Sequence, residues 1–337
     1  MVTRLPLSFL IMIETLISGI KNFSKKLVLR ANYKLGNYRE VLWLVGDGRS
    51  GTTWVSDLIN HDKRYRQMFE PFHPQLVPAM DFLSPHHYVR PLELDERVKR
   101  IAGDVINGRF TDTRVDARIC TLWHQGLLIK DIFANLLCGA VSREFPHIKP
   151  VLLIRNPFAV ACSKLKTKDW FWLTEPLELL KQVTLYEDHL MPFEDIIRET
   201  SAKKNYVLNQ ILIWSIINYV PLHQFRPKDL HICFYEDIYT NPHHEVAKIL
   251  CFARGPHAAD FLNLKKEVIK QPNRISNPES NMLLGRCPIS TWKTELDPGL
   301  INDGYDILGH FGLADLYDDD NALPNRAVIK KLQGTRS

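Results

Sequence analysis

The sequence lacks the features that mark several large classes of protein. It contains no block of Lys and Arg, although 43 basic residues exceed 38 acidic ones and give a formal charge of +5. A nucleic acid is therefore not an expected partner. Neither a Cys-x-x-Cys nor a His-Glu-x-x-His pattern occurs, and adjacent histidines point in different directions in any regular element. We predict that the protein binds no metal.

Long apolar runs are also scarce. The longest, Leu5–Ile20, contains Glu14 and is shorter than the roughly 20 apolar residues that a bilayer core requires. It favours a helix that docks on the core or lies in a membrane interface over a signal-anchor. The only glycosylation sequon, Asn22–Ser24, follows directly, and no Pro/Ser-rich stem is present. We expect a cytoplasmic or membrane-associated protein with residues 5–20 as the candidate peripheral membrane contact; a Golgi-type membrane anchor is the alternative.

The length of 337 residues and the 45% apolar content suit one domain. We predict an N-terminal segment 1–38, a domain 39–317 and a C-terminal tail 318–337. Short apolar runs predict buried parallel strands at Val41–Val45, Leu127–Ile129, Val151–Ile154 and Leu230–Phe234. Helical periodicity predicts helices at Thr53–Asn60, Ile132–Glu144, Leu177–Thr200, Tyr206–Gln224 and Glu245–Phe252, and the polar run Gln271–Asn281 predicts an exposed loop. This alternation predicts an α/β fold, P-loop-like and three-layered, with a central parallel sheet flanked by helices.

The first apolar run leads into a glycine-rich turn, Gly46–Trp54, and then into a helical pattern. Glycines let the backbone curl so that successive N–H groups converge on an anion, and a helix N-terminus adds partial positive charge. Thr52 and Thr53 add hydroxyl donors. The pattern predicts a phosphate site, although for the turn alone a structural role without ligand stays open.

The turn departs from the P-loop of nucleotide triphosphatases, Gly-x-x-x-x-Gly-Lys-[Ser/Thr]. Gly46, Gly51 and Thr53 are in register, but Thr52 stands at the lysine position. A β/γ-phosphate pair would lack its usual cation, and no strong acidic strand end is present to hold Mg²⁺. Hydrolysis of ATP or GTP is therefore a poor fit. Arg49, earlier in the turn, can reach a group that leaves from a 5′-phosphate.

The stretch Arg-Ser-Gly-Thr-Thr-Trp resembles the 5′-phosphosulfate loop of sulfotransferases that use 3′-phosphoadenosine 5′-phosphosulfate (PAPS), in the style of the carbohydrate (Golgi-type) and bacterial members. The resemblance implies PAPS as sulfate donor and 3′-phosphoadenosine 5′-phosphate (PAP) as product, with Arg49 at the leaving group and Trp54 stacked on adenine. The donor-binding residues that it implies in this loop are Gly48, Arg49, Ser50, Gly51, Thr52, Thr53 and Trp54.

A second phosphate-binding pattern follows the strand Val151–Ile154. Asn156 and Pro157 are a favourable N-cap and first-turn pair, which puts Arg155 at the strand end and Ser163 in the next helix. These two side chains can converge on one oxyanion. The pattern also resembles the family's 3′-phosphate motif, Arg-[Asn/Asp/His]-Pro-x-x-x-x-x-Ser, which implies a preference for PAPS over donors without a 3′-phosphate.

Two later segments extend the resemblance. Gly285–Lys293 resembles the family loop in which a basic residue, here Arg286, closes over the 3′-phosphate before a Trp-Lys or Trp-Arg pair. A Cys-Pro pair stands where the family often has glycines, and Trp292 also fits a simple core role. Phe234–Ile238 is similar to the family's strand-ending Tyr-Glu-Asp segment. In all, the resemblance extends from about residue 41 to about residue 313.

Sulfuryl transfer needs a base for the acceptor proton and cations for the departing phosphate. The histidine that cytosolic members use is absent, with Ile132 at the matching place. Glu70 lies in Phe-Glu-Pro, which resembles the element of carbohydrate sulfotransferases whose glutamate is the base. We expect partial burial to raise the pKa of Glu70 towards neutrality. An exposed glutamate at a strand end, without catalytic function, is the alternative.

Other groups near this position stay open. Asp131 and His73 are rival bases, and Lys130 either pairs with Asp131 or assists the transferring sulfonate. The lysines at 164, 166 and 168 predict a solvated helix face. The aromatic run at 170–172 either packs on the body or lines an acceptor entrance.

We predict a sulfotransferase that moves a sulfuryl group from PAPS to an acceptor hydroxyl of a glycan or glycolipid. Glu70, Arg49 and Lys130 are the predicted catalytic residues, and Arg155, Ser163 and Arg286 complete the donor site. The alternatives are a P-loop nucleotide kinase and a non-catalytic nucleotide-binding module.

Overall fold

The structure is a computed structural model that describes residues 7–119, 121–167, 170–265, 268–269, 285–317 and 322–334. Side chains 7–15, 17, 18, 20, 21, 261 and 334 are not described. The loop predicted at Gln271–Asn281 lies outside these residues, as do Lys168 and most side chains of the segment 5–20.

Five parallel strands form the sheet, in the order β2-β3-β1-β4-β5. Their bounds are β1 Glu40–Gly46, β2 Tyr65–Phe69, β3 Gly126–Asp131, β4 Ile148–Ile154 and β5 His231–Phe234. The chain winds outwards from β1 in both directions, so the loop after β1 lies where ligands of such sheets bind. All five strands end at the same edge, since Val45 pairs with Asp131 and Leu152, and Ile154 pairs with Phe234.

Alternate residues of each strand face opposite sides of the sheet. Val41, Trp43 and Val45 pack into one apolar core, while Leu42 and Leu44 pack into another. Helices cover both cores, which confirms the predicted three-layer architecture. The described α-helices are Leu7–Lys34, Thr52–Ile59, Glu96–Ile106, Cys138–Glu144, Pro157–Leu165, Leu177–Leu180, Val183–Leu185, Glu194–Ala202, Tyr206–Gln224, Tyr235–Thr240, Pro242–Arg254, Trp292–Glu295, Pro298–His310 and Arg326–Gly334.

The predicted sheet was incomplete, because β2 was not among the predicted strands. Two of its five side chains, Arg66 and Gln67, are polar yet buried. Arg66 donates to Asp116 Oδ1 at 2.8 Å, and Gln67 donates to Ser56 Oγ at 2.7 Å. These internal partners let polar residues occupy a core strand, which conceals the strand from a search for apolar runs.

Two predicted helices were too long. The segment after β3 begins its helix only at Cys138, because the Asp131 carboxylate first accepts a hydrogen bond from Phe133 N and forms a turn. The predicted helix Leu177–Thr200 is divided into short pieces that include a π-helical turn at Tyr186–Leu190 and a 3-10 turn at Met191–Phe193. The 3-10 turn contains Pro192, which cannot donate the backbone hydrogen bond that a continuous helix requires.

Candidate active site

The turn after β1 has the shape of an anion cradle. Gly51 adopts φ 93° immediately before the helix Thr52–Ile59, and Arg49 adopts φ 70°. A Cβ on Gly51 would lie 2.5 Å from the Tyr235 ring, so this position requires glycine for space as well as for conformation. The turn thus exposes the first N–H groups of the helix at the carboxyl edge of the sheet.

Two predicted phosphate motifs, 114 residues apart in the chain, meet here. Arg49 Nε donates to Ser163 Oγ at 2.9 Å. Arg155 Nη1 donates to the Arg49 carbonyl oxygen at 2.9 Å, and its Nη2 donates to Pro288 O at 2.8 Å. The structure therefore brings Arg49, Arg155 and Ser163 together, and it brings the late loop to the same place through Pro288.

Both guanidinium groups have neutral hydrogen-bond partners, a hydroxyl and two carbonyls. Burial lowers the pKa of Arg49, and the positive charge of Arg155 lowers it further. Such mutual repulsion is relieved by a bound anion. The buried Oγ of Ser50 and the Nε of Arg155 also have no hydrogen-bond partner among the described residues. Unused donors beside two repelling cations suit a polyanionic ligand.

Arg155 is held in place by the elements around it. Asn156 caps the helix Pro157–Leu165 by accepting hydrogen bonds from Phe158 N and Ala159 N, as predicted. Buried Glu236 accepts a hydrogen bond from Asn156 N at 3.0 Å. The Arg155 guanidinium also lies 4.3 Å from the centroid of the Tyr235 ring. The Tyr-Glu-Asp segment therefore supports the end of β4 from behind.

The remaining predicted donor residues lie around this centre. Thr52 is buried, Thr53 and Gly51 are half-buried, and Arg286 is exposed in the loop that approaches Arg155. Trp54 is nearly buried, at 6% exposure, and its ring lies edge-on to Tyr235 with 5.5 Å between centroids. Its role in stacking on adenine stays a prediction.

A second cluster lies at the adjacent strand ends. Phe69 pairs with Lys130 across β2 and β3, so Glu70 emerges beside Lys130. Lys130 Nζ donates to Glu70 Oε1 at 2.5 Å, and Arg114 Nη2 donates to Glu70 Oε2. Lys130 therefore pairs with Glu70. The predicted alternative in which it pairs with Asp131 is wrong.

The expected rise in the pKa of Glu70 is wrong. Burial on its own would raise this pKa, but the positive charges of Lys130 and Arg114 together hold it below its ordinary value. Glu70 also adopts φ 51°, a strained conformation for a residue with a side chain, of the kind that clusters at functional sites. The carboxylate is consequently ionised, buried and fixed by two cations.

The two rival bases have other contacts. Both carboxylate oxygens of Asp131 accept backbone hydrogen bonds, from Phe72 N and Phe133 N, and burial raises its pKa to about 6. His73 is also buried, and its Nδ1 accepts hydrogen bonds from Gln75 N and Leu76 N. Burial lowers the pKa of His73 to about 4. The proton of neutral His73 is therefore on Nε2, which leaves this nitrogen without a free lone pair for a base.

Sequence reasoning missed two members of the site. Arg114 belongs to an irregular loop rich in arginine and acidic residues, where no local pattern separates it from ordinary surface charge. Lys164 was expected on a solvated helix face, but it is buried and donates to both oxygens of Asp47 at 2.7 and 2.8 Å. Lys164 lies in the helix Pro157–Leu165, and its burial depends on Asp47, 117 residues away in the chain, so no local pattern indicates it.

In the described part of the chain, no group of three or more His, Cys, Asp or Glu side chains is placed to hold a metal ion.

A parallel sheet whose central strand leads through a glycine-rich turn into a helix defines the P-loop-like α/β fold class. Within that class, the profile of the sulfotransferase domain family matches residues 39–308. The chain belongs to this family and is a sulfotransferase, an enzyme that transfers a sulfuryl group to an acceptor. Members of the family generally use PAPS as the donor.

Solved structures give further comparisons. The chain is similar to a sulfotransferase from Alicyclobacillus acidocaldarius, with 13% identity, coverage of 89% of this chain and 97% of that chain, and a TM-score of 0.41. It is also similar to the sulfotransferase domain of the Synechococcus PCC 7002 olefin synthase, with 14% identity, 81% and 94% coverage, and a TM-score of 0.42. The sulfotransferase domain from the curacin biosynthetic pathway matches with 14% identity, 80% and 96% coverage, and a TM-score of 0.42. A search of curated proteins gave no significant match.

Proposed function

We propose that the sulfate donor of this enzyme is PAPS and that Glu70 is the base for an acceptor hydroxyl. The observation that carries the proposal is the convergence of Arg49, Arg155 and Ser163 from two separate motifs, with neutral partners for both arginines. A donor with a 5′-phosphosulfate and a 3′-phosphate offers anions to both. The unpartnered hydroxyl of Ser50 supports the same ligand.

We call the turn Gly48–Trp54 together with Arg155, Ser163 and Arg286 the donor half of the site, and each part has a distinct task in this proposal. The backbone of the turn from Gly48 to Thr53 holds the 5′ end, and Arg49 stabilises charge on the departing phosphate. Arg155 and Ser163 hold the 3′-phosphate, and Arg286 closes over it. Trp54 stacks on the adenine ring. When bound, the donor supplies a sulfur atom whose bond to the 5′-phosphate oxygen breaks as a bond to the acceptor oxygen forms, and the electron pair stays with the phosphate.

The second cluster, Glu70 with Lys130 and Arg114, is the transfer half of the site, and it provides the acid–base chemistry. Glu70 accepts the proton of the acceptor hydroxyl, which becomes more acidic as its oxygen bonds to sulfur. Lys130 and Arg114 keep the Glu70 carboxylate ionised and fix its orientation. Lys130 can also donate to a sulfonate oxygen, because its ammonium has three protons.

For the acceptor, we propose a hydroxyl of a glycan or glycolipid. The support is the Phe-Glu-Pro element at Phe69–Pro71, which resembles that of carbohydrate sulfotransferases.

Transfer of labelled sulfate, together with nucleotide binding, tests the donor. We expect PAP to raise the melting temperature more than ATP at equal concentration, and labelled PAPS to transfer sulfate to a glycan panel. A larger shift with ATP, with phosphate transfer, would favour the kinase that Thr52 argues against. Binding of PAP without transfer to any hydroxyl compound would instead favour a non-catalytic module.

The N-terminal helix Leu7–Lys34 supports a peripheral membrane contact. Its Leu29 and Asn32 are buried against the body, whereas Leu16, Phe23 and Leu27 are 64%, 65% and 49% exposed. Spacings of seven and four residues place these three on one helical face. Exposed basic residues accompany them at Lys26, Arg30 and Lys34. An apolar face with positive charge beside it fits an anionic lipid surface. Within the described residues, no helix combines the length and hydropathy that crossing a bilayer requires.

Vesicle co-sedimentation tests this contact. We expect binding to vesicles that contain phosphatidylserine, weaker binding to pure phosphatidylcholine, and loss of binding in the double variant Phe23→Asp, Leu27→Asp. The control is Leu92→Asp, at a leucine outside the helix that is 78% exposed. Binding that is the same for both vesicles, or unaffected by the double variant, would contradict the proposal.

A further inference from the structure

Three consecutive aromatic residues, Trp170, Phe171 and Trp172, lie between the two halves of the site, and we call them the aromatic row. Trp172 covers the donor turn, since a Cβ on Gly48 would lie 2.1 Å from its ring. Its indole Nε1 donates to Thr167 O at 3.0 Å, which fixes the ring. This member of the row is therefore structural.

Phe171 reaches the transfer half. Its ring lies edge-on to the His73 ring, with 6.0 Å between centroids and an interplanar angle of 85°. His73 N donates to the carbonyl oxygen of Glu70 at 3.2 Å, so the Phe171 ring is two contacts from the proposed base. The row thus extends from the donor turn to the residues around Glu70.

Two of the three rings are open to solvent. Trp170 is 44% exposed and Phe171 is 43% exposed, although Trp172 between them and the donor turn is largely covered. The Trp170 and Phe171 rings are mutually edge-on, with 5.8 Å between centroids. Exposed apolar rings of this kind, next to convergent polar groups, are typical of a ligand-binding surface.

We propose that Trp170 and Phe171 bind the acceptor by stacking on the apolar face of a ring that bears the accepting hydroxyl. This inference rests on the proposed function, in which the acceptor hydroxyl lies at Glu70, and on the contact of the Phe171 ring with His73. Aromatic side chains offer large, rigid apolar faces that lose little conformational freedom on binding. The C–H face of a pyranose and the face of a phenol share this chemistry.

Kinetics with three probe acceptors test the inference: octyl β-glucoside, 2-naphthol and hexan-1-ol, each with labelled PAPS. In Trp170→Ala and Phe171→Ala, we expect KM for a ring acceptor to rise about tenfold or more, with a much smaller change in kcat. The rise should be at least severalfold larger for the ring acceptor than for hexan-1-ol, and Phe171→Tyr should restore most of the loss. Sulfation of the glucoside alone, or of the naphthol alone, identifies which ring the row accepts.

Trp123→Ala is the matched control. Trp123 is 59% exposed and precedes the start of β3, at the opposite edge of the sheet from the site. We expect its kinetics to equal those of the native protein. Unchanged KM in both aromatic variants, or equal rises for ring and acyclic acceptors, would overturn the inference.

A binding measurement separates this inference from the proposed function. Saturation-transfer NMR with PAP present should show ring protons of the glucoside or the naphthol in contact with the native protein and not with the double variant Trp170→Ala, Phe171→Ala. Ring contact without sulfate transfer would sink the proposed function and support the aromatic row. Sulfate transfer by the native protein, with ring contact retained in the double variant, would support the proposed function and contradict the inference about the aromatic row.

Discussion

The donor half and the transfer half of the site hold positive charge in different ways. In the donor half, Arg49 and Arg155 lie close together with neutral partners, and burial together with the positive charge of Arg155 lowers the pKa of Arg49. In the transfer half, Lys130 and Arg114 share the carboxylate of Glu70. In the proposed function, an anionic ligand completes the first arrangement, whereas the second is complete within the protein. The difference suggests that the donor half contributes affinity and the transfer half contributes chemistry.

The largest expected effect is in the transfer half. Glu70→Gln keeps the shape of the side chain but cannot accept the acceptor proton, so kcat should fall by about 10²- to 10⁴-fold. Binding of PAP, measured by calorimetry, should remain within about threefold of the native value, since the donor half is unaltered. Glu178→Gln, at an exposed glutamate paired with Lys181, is the control. Retained turnover would remove Glu70 from the mechanism.

Next in size is the effect of Arg155→Met on the donor half. Loss of charge-assisted hydrogen bonds should weaken PAP binding by about 10- to 100-fold. Adenosine 5′-phosphate, which lacks the 3′-phosphate, should lose much less. Arg226→Met, at an exposed arginine outside the site, controls for net charge. Equal losses for the two nucleotides would mean that Arg155 does not bind the 3′-phosphate.

A smaller effect is expected on the pH dependence of stability, through Glu236, the buried carboxylate that accepts a hydrogen bond from Asn156 N. Burial raises the pKa of Glu236 to about 7, so its protonated form is favoured in the folded state. The contribution of Glu236 to the free energy of unfolding is therefore fully present below about pH 4.5, its ordinary pKa, and is lost as the pH rises from there through about 7. Glu236→Gln should raise the free energy of unfolding at pH 8 by about 1 to 3 kcal/mol and leave it nearly unchanged at pH 4. Urea denaturation at both pH values measures this, and an equal change at both would contradict it.

The smallest expected effect is a flat pH profile. Because the pKa of Glu70 is held below its ordinary value, kcat/KM should not fall as pH is lowered from 8 to 5. If Asp131, with a pKa of about 6, were the base, activity would fall below pH 6. The pH profiles of the native enzyme and of Asp131→Asn therefore discriminate between the two carboxylates.

The sequence was informative where one local pattern carries one structural task. Short apolar runs predicted four of the five strands, and Asn156 with Pro157 predicted the start of the helix that contains Ser163. Glycine spacing after β1 predicted a tight turn that leads into a helix, and Gly51 adopts the positive φ that such a turn requires. These signals lie within about ten residues, so no tertiary information was required.

The parts that failed depend on partners far apart in the chain. Arg66 is compatible with a core strand only because Asp116, 50 residues away, neutralises it. Lys130 and Arg114 reach Glu70 across 60 and 44 residues, and their positive charges together reverse the expected pKa shift. Burial alone predicts the opposite sign, so the charge state of the proposed base is a property of the tertiary structure and is absent from any local motif.

In the proposed function, the packing of Trp172 over Gly48 would link the two substrates energetically. A donor that holds the turn at Gly48 would add a second constraint on Trp172, beyond its hydrogen bond to Thr167, and would pass it to Trp170, whose ring centroid lies 6.1 Å away. Any gain in acceptor affinity produced this way must be returned, by the same factor, as a gain in donor affinity. The two substrates would then bind cooperatively through a single van der Waals contact, and an enlarged residue at position 48 would uncouple them.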